Sequence, residues 1–176
     1  DRLPSTDLFN HLLKLIGEES KLAGIVQVPF EMALKEIKNW WSVKSDEGLS
    51  IPIGRAGARR LQYFSLGRGT LQHVLIGGKT GSGKSNLLHI IILSLCIRYS
   101  PDELELYLID FKKGVEFKSY ATMELPHAKV IAIQSEREFV LSVLQELDVK
   151  LQNRGDLFRN ADVKKLKEFR LKYSDT

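Results

Sequence analysis

Cysteine is nearly absent: Cys96 is the only one among 176 residues. That excludes an internal disulfide and any multi-cysteine metal centre. Cys96 sits inside an apolar run, reads as a small buried side chain, and fits a reducing cytoplasm. The four histidines, His11, His73, His89 and His127, show no metal-ligand spacing and read as structural or exposed. Long hydrophobic runs are missing as well. The longest, residues 87–97, is broken by His89 and Ser94. It is too short to span a bilayer and suits a buried helix. The first residues, Asp1-Arg2-Leu3-Pro4, lack a basic segment followed by an apolar one, so no signal peptide is expected. They also lack a Met, the expectation for a piece of a longer protein. Neither repeats nor low-complexity tracts occur.

Acid is missing from one stretch. Residues 51–84 carry Arg55, Arg59, Arg60, Arg68, Lys79 and Lys84 and no Asp or Glu. The chain's net charge of +4 is therefore a local +6 set against −2 elsewhere. Such a patch suits the phosphates of a nucleotide or a nucleic acid. A solvated hairpin turn explains residues 55–60 equally well. The overall composition, 43% hydrophobic and 27% charged, is ordinary for a globular protein.

Three zones follow one another. Leu8, Leu12, Leu15 and Ile16 recur at helical spacing, with Ser5, Thr6 or Asp7 available as the N-cap. A second helix is expected near Pro29, carrying Met32, Ile37 and Trp40. From Gly48 the pattern changes: residues 49–53 and 61–66 read as a β-hairpin around a glycine-containing turn. Beyond it, strands are expected at 73–77, 104–111 and 129–133, and helices at 84–99 and 135–153. Ser135 and Glu138 have capping-box spacing, and Val140, Leu144, Leu147 and Leu151 form a stripe on the last helix. Alternating strands and helices predict an α/β fold with a mainly parallel sheet. The expected organisation is an N-terminal helical segment at 1–47, then an α/β unit, opening with the hairpin, at 48–176.

The chemistry is concentrated at Gly78-Lys79-Thr80-Gly81-Ser82-Gly83-Lys84-Ser85, which satisfies G-x-x-x-x-G-K-[ST] directly after an apolar segment and directly before a helix. Glycines let successive N–H groups curl toward one phosphate, and the helix N-terminus adds about half a positive charge there. Lys84 is expected on the β- and γ-phosphates of ATP and Ser85 on Mg²⁺. Thr80 and Ser82 are loop members without an individual role, and Asn86 continues the binding segment. A glycine-rich connection without a ligand would explain neither the Lys nor the Ser.

A second feature is Leu106-Tyr107-Leu108-Ile109-Asp110, an apolar strand ending in a carboxylate. Asp110 is a candidate near the metal. It could equally cap the following turn, pair structurally, or line the site without touching metal. Phe111 follows it, so no adjacent catalytic Glu is present.

The P-loop segment 73–85, then Leu108-Ile109-Asp110-Phe111-Lys112-Lys113-Gly114, then Leu125-Pro126-His127 together resemble the FtsK/SpoIIIE family of P-loop ATPases. The approach to the core at 48–54 and the helix through Asn153-Arg154 into Leu157-Phe158 resemble it too. The resemblance spans about residues 48–170. It implies a RecA-like core, ATP and Mg²⁺ as cofactors, and a homo-oligomeric, usually hexameric, cytoplasmic ring that pumps double-stranded DNA. The type VII secretion branch shares these motifs and exports protein instead. Phe111-Lys112-Lys113-Gly114 sits between the branches. Arg154 and Arg159 are candidate trans-acting arginines, with surface solvation or salt bridges as the competing readings. The family's apolar strand ending in Asp-Glu does not follow the matched region here. The expectation is therefore the nucleotide-binding part of such a motor, which does not complete hydrolysis alone; a switch or assembly module without turnover is a separate alternative.

Overall fold

The computed structural model describes residues 5–23, 29–34, 37–56, 60–111, 116–132 and 137–173. The elements run α1 (Thr6–Ala23), α2 (Phe30–Leu34), β1 (Leu49–Ala56), β2 (Arg60–Leu66), α3 (Lys84–Arg98), β3 (Leu106–Ile109), α4 (Lys118–Thr122), β4 (Ala128–Ala132), α5 (Arg137–Asn160) and α6 (Leu166–Tyr173). Helices and strands mix as the alternation predicts, but the described strands form two separate pairs. β1 and β2 are antiparallel, while β3 and β4 are parallel.

The α3 helix is the spine. Its residues are apolar nearly all round because it is covered on two sides. Ile91 and Leu95 pack with Tyr99 and Ile51 on the hairpin side. Ile92 and Cys96 pack with Leu108, Phe117 and Tyr120 on the side of the parallel pair. A helix enclosed this way needs no polar face. Cys96 is buried, as its sequence context suggests, and burial pushes its thiol up to about 12.

Polar contacts fix α3 against β1. The Ser94 hydroxyl, fully buried, donates to Pro52 O at 3.2 Å, and the Ser50 N–H donates to the Tyr99 hydroxyl at 2.8 Å. Pro52 cannot donate to a ladder, and the pairing register shifts immediately after it, between Pro52 and Gly54. The bulge accommodates a residue that a regular central strand would reject.

Residues 41–47 clamp the far end of α3 and its surroundings. The Trp41 N–H donates to Ile97 O at 3.0 Å, and its indole Nε1–H to Cys96 O at 2.9 Å. Both acceptors belong to the last turn of α3, whose carbonyls have no partner within the helix. Ser45 donates to Glu103 twice, from its N–H at 3.0 Å and its hydroxyl at 2.8 Å. Arg170 of α6 reaches both Glu103, at 2.7 Å, and Asp46. Burial alone would raise the Glu103 carboxyl. The donors from Ser45, Arg170 and Lys44 outweigh it and hold the group at about 2.

Several expected details differ. The strand expected at 73–77 is not paired with any described strand: β3 takes β4 as its neighbour, and Leu75 is 96% exposed. Ile76 alone of this stretch packs on the hairpin-side core. The second N-terminal helix is described over Phe30–Leu34, and Trp40 lies in an exposed turn beyond it. On α5 the packed face is Val140, Val143 and Leu147, while Leu144 and Leu151 are exposed. Positions 143 and 144 both follow 140 at helical spacing, and the fold buries only the former. The cap at Ser135 lies outside the described residues. For α1, Ser5 is the N-cap, its hydroxyl accepting from Leu8 N at 3.4 Å. Among the described side chains of α1, Leu8, Phe9, Leu12, Leu13, Leu15 and Ile16 are all 43% to 62% exposed.

Candidate functional site

The glycines of the loop have individual reasons to be glycine. Gly81 and Gly83 lie in the left-handed region, at φ 76° and 87°, where a side chain is strained. At Gly78 the backbone angle is ordinary but space is not: a Cβ there would meet Ser82 Oγ at 2.6 Å. A methyl group at Gly78 would force the Ser82 hydroxyl to turn aside.

That curl delivers the chain into α3 with Gly83 as N-cap and no side-chain cap, and no acid occupies the first turn. The first N–H groups of the helix are thus left for an external acceptor. Lys84 folds over the loop, its Nζ donating to Gly78 O at 2.8 Å and Lys79 O at 2.7 Å. The ammonium is held directly over the strip of backbone that would receive phosphate. Lys79, Thr80, Gly81, Ser82 and Asn86 are exposed around it. The wider basic patch is dispersed, since Arg68 turns away to donate to Glu47 O at 2.9 Å.

Ser85 has a partner that its motif does not announce. Its hydroxyl donates to Glu116 Oε1 at 2.9 Å. Glu116 Oε2 lies 3.6 Å from His89 Nε2, and His89 Nδ1 is 2.7 Å from the Tyr120 hydroxyl. Tyr120 is buried in the core beside Phe117, and burial pushes its hydroxyl up. A chain of contacts therefore runs from the P-loop serine into the packed interior. Asp110, the carboxylate singled out by sequence, ends β3 with its N–H on Ala132 O at 3.3 Å. Glu116 follows six residues later, in the loop after the C-terminal end of a parallel strand. In open α/β sheets such loops border the ligand crevice, which is the signal that could have found it.

The donor set fits Mg²⁺. Ser85 Oγ and the nearby carboxylate are hard oxygen donors, and no group of three or more His, Cys, Asp or Glu able to hold a metal occurs among the described residues. Mg²⁺ is ordinarily held by one or two protein oxygens with phosphates and water supplying the rest. Ser85 would hold the ion, which would screen the phosphate charges when bound.

The candidate arginines lie apart from this loop, on α5. Arg159 is ion-paired with Asp156 one turn earlier, and both are exposed. Arg154 lines a groove of about 700 Å³ between α5, α6 and the start of β3. In that groove Lys150 donates to Glu105 at 2.6 Å and to the Tyr107 hydroxyl at 2.9 Å, tying α5 to β3. Its hydrogen bond lowers the Glu105 carboxyl.

Comparison with known proteins gives a consistent picture. The profile of the FtsK/SpoIIIE family matches residues 34–175. An ESX secretion system protein EccC from Geobacillus thermodenitrificans is 29% identical over 155 residues, covering 88% of this chain and 10% of its own length. A DNA translocase FtsK from Streptococcus pneumoniae is 29% identical over 161 residues, covering 92% of this chain and 20% of its own length. Among solved structures, the cytoplasmic domain of the Thermomonospora curvata type VII secretion ATPase EccC superposes with a TM-score of 0.63 at 24% identity, over 85% of this chain and 17% of that one. The chain thus spans a fifth or less of the length of these relatives. No described helix is long and apolar enough to cross a membrane.

Proposed function

The chain belongs to the FtsK/SpoIIIE family, and from that premise we propose that it is the ATP-binding part of a ring-forming motor ATPase that moves double-stranded DNA on the cytoplasmic side. In this reading residues 48–176 are the first part of a RecA-like core. The observation that carries it is the phosphate cradle: Gly81 and Gly83 at positive φ, an uncapped α3, and Lys84 folded over the loop carbonyls. Gly78 to Asn86 wrap the phosphates, Lys84 neutralises them, and Ser85 holds Mg²⁺. Asp110, at the end of β3, would lie near the metal. Arg154 and Arg159 face the neighbouring subunit of the ring. Arg159 must first leave Asp156, and Arg154 lies within the field of Glu105.

Lys84→Ala tests the cradle directly. It is expected to reduce ATP binding below detection in a calorimetric titration while the far-ultraviolet circular dichroism is unchanged. Unaltered affinity would remove Lys84 from the phosphate site. The substrate is tested on the full-length protein. DNA translocation requires duplex binding at low salt and hydrolysis that rises with duplex DNA. Equal rates with and without DNA, and no duplex binding, would sink it.

A protein-secretion motor is the second reading. It is favoured by the EccC relative and by the EccC cytoplasmic domain that superposes on this chain. It predicts turnover insensitive to DNA and stimulated by an exported protein. Nucleotide binding with no turnover in the full-length protein would instead make the unit a switch or assembly module.

A further inference from the structure

Glu116 lies outside the nucleotide-binding motif, yet its carboxylate is the hydrogen-bond acceptor of that motif's serine, at 2.9 Å. We propose that Glu116 is a positioning residue for the Mg²⁺ site: it fixes the Ser85 hydroxyl by accepting its proton in a hydrogen bond, which leaves the Ser85 oxygen lone pairs for the metal. The inference rests on the phosphate-site reading above and adds a residue to it.

The chemistry of a hydroxyl ligand carries the argument. A serine hydroxyl has one proton to donate and lone pairs to accept with, and its proton rotates freely unless something takes it. A metal ion needs the lone pair presented and the proton turned aside. An acceptor on the side of the hydroxyl does this, and a carboxylate, having only acceptor sites when ionised, does it without ambiguity.

The structure then supports Glu116 from behind. His89 Nε2 lies 3.6 Å from the second carboxylate oxygen, and His89 is itself held by the Tyr120 hydroxyl at 2.7 Å. Tyr120 is 8% exposed and packs with Phe117, Ile92 and Leu108. The carboxylate therefore lies against two rings anchored in the core, although its own side chain is half exposed. Partners of this kind commonly change metal affinity about 10- to 100-fold when removed. His89 lies one helical turn after Ser85 on α3, so serine, carboxylate and imidazole share one face of the helix start.

The experiment is a comparison of ATP affinity with Mg²⁺ and with EDTA on the intact protein, read by calorimetry without turnover. Wild type should gain affinity when Mg²⁺ is present. Glu116→Ala should cut that gain at least tenfold and leave the EDTA affinity no weaker than wild type. Glu116→Gln, which keeps an acceptor oxygen, should restore most of the gain. In a Ser85→Ala background, Glu116→Ala should have no further effect, since the hydroxyl it positions is gone.

Three results would overturn the proposal. One is an unchanged Mg²⁺ gain in Glu116→Ala. Another is an equal loss with and without Mg²⁺, which marks a structural role only. The third is a full loss persisting in the Ser85→Ala background, which would make Glu116 a direct ligand. Lys84→Ala, run alongside, separates these from failure of the phosphate site. If Lys84→Ala abolishes binding and Glu116→Ala is silent, only the Glu116 inference falls. If Lys84→Ala is silent, both fall.

Discussion

Two helices of this chain are rich in leucine and isoleucine and meet opposite fates. In α3 these residues are enclosed between the hairpin and the parallel pair, with Ile91, Ile92 and Leu95 at most 8% exposed. In α1, Leu8, Phe9, Leu12, Leu13, Leu15 and Ile16 lie open. α1 keeps a polar face, with Asp7, Lys14 and Glu18, which α3 almost lacks, yet even the apolar face of α1 lies open. What separates them is the availability of a second surface: α3 is flanked by strands on either side of it in sequence. Burial, and hence stability, belongs to the pairing of surfaces and not to apolar content.

The contrast can be broken by mutation. Ile92→Ala in α3 should cost about 2–5 kcal/mol in urea unfolding, because a packed site on the helix spine collapses poorly. If it cost no more than an α1 substitution, the enclosure of α3 would be wrong. Arg170→Ala should come next, at roughly 1–3 kcal/mol, since it removes a charged donor from the buried Glu103 carboxylate.

The same carboxylate sharpens the comparison by pH. Its folded value is about 2, against roughly 4.3 for an unfolded Glu. A depressed value stabilises the fold fully above the unfolded pKa and loses that contribution as pH falls toward the folded one. The urea midpoint should therefore drop as pH is lowered from about 5 to 2.5, and drop less in Glu103→Gln. An identical acid profile in the two proteins would remove Glu103 from the account. The smallest effect is expected at Leu12→Ala, below about 0.5 kcal/mol for an uncovered side chain. A loss comparable to that of Ile92→Ala would mean that something covers α1 in solution.

What could be read from the chain was what short-range chemistry decides. The P-loop needed only its glycines, its Lys and its Ser in order. The hairpin needed two alternating runs and a turn. The burial of α3 followed from its lack of a polar face. The segment 73–77 could not be read in the same way, because an extended apolar stretch becomes a strand only when a neighbour accepts its hydrogen bonds. The face of α5 was ambiguous for a similar reason: Val143 and Leu144 fit the helical period equally well, and only the packed neighbour chooses. Glu116 belonged to no motif, and only its position in the segment after a strand pointed to it. Its place beside Ser85 is seen only in the fold, with His89 and Tyr120 behind it.

Trp41 has a consequence for dividing the chain. The composition changes at Gly48, and a cut there would look natural. Such a cut would remove both donors on the last turn of α3, together with the Ser45 contacts to Glu103. The excised piece would keep every residue of the phosphate loop while the opposite end of the same helix frayed. An autonomously folding fragment should therefore begin upstream of Trp41.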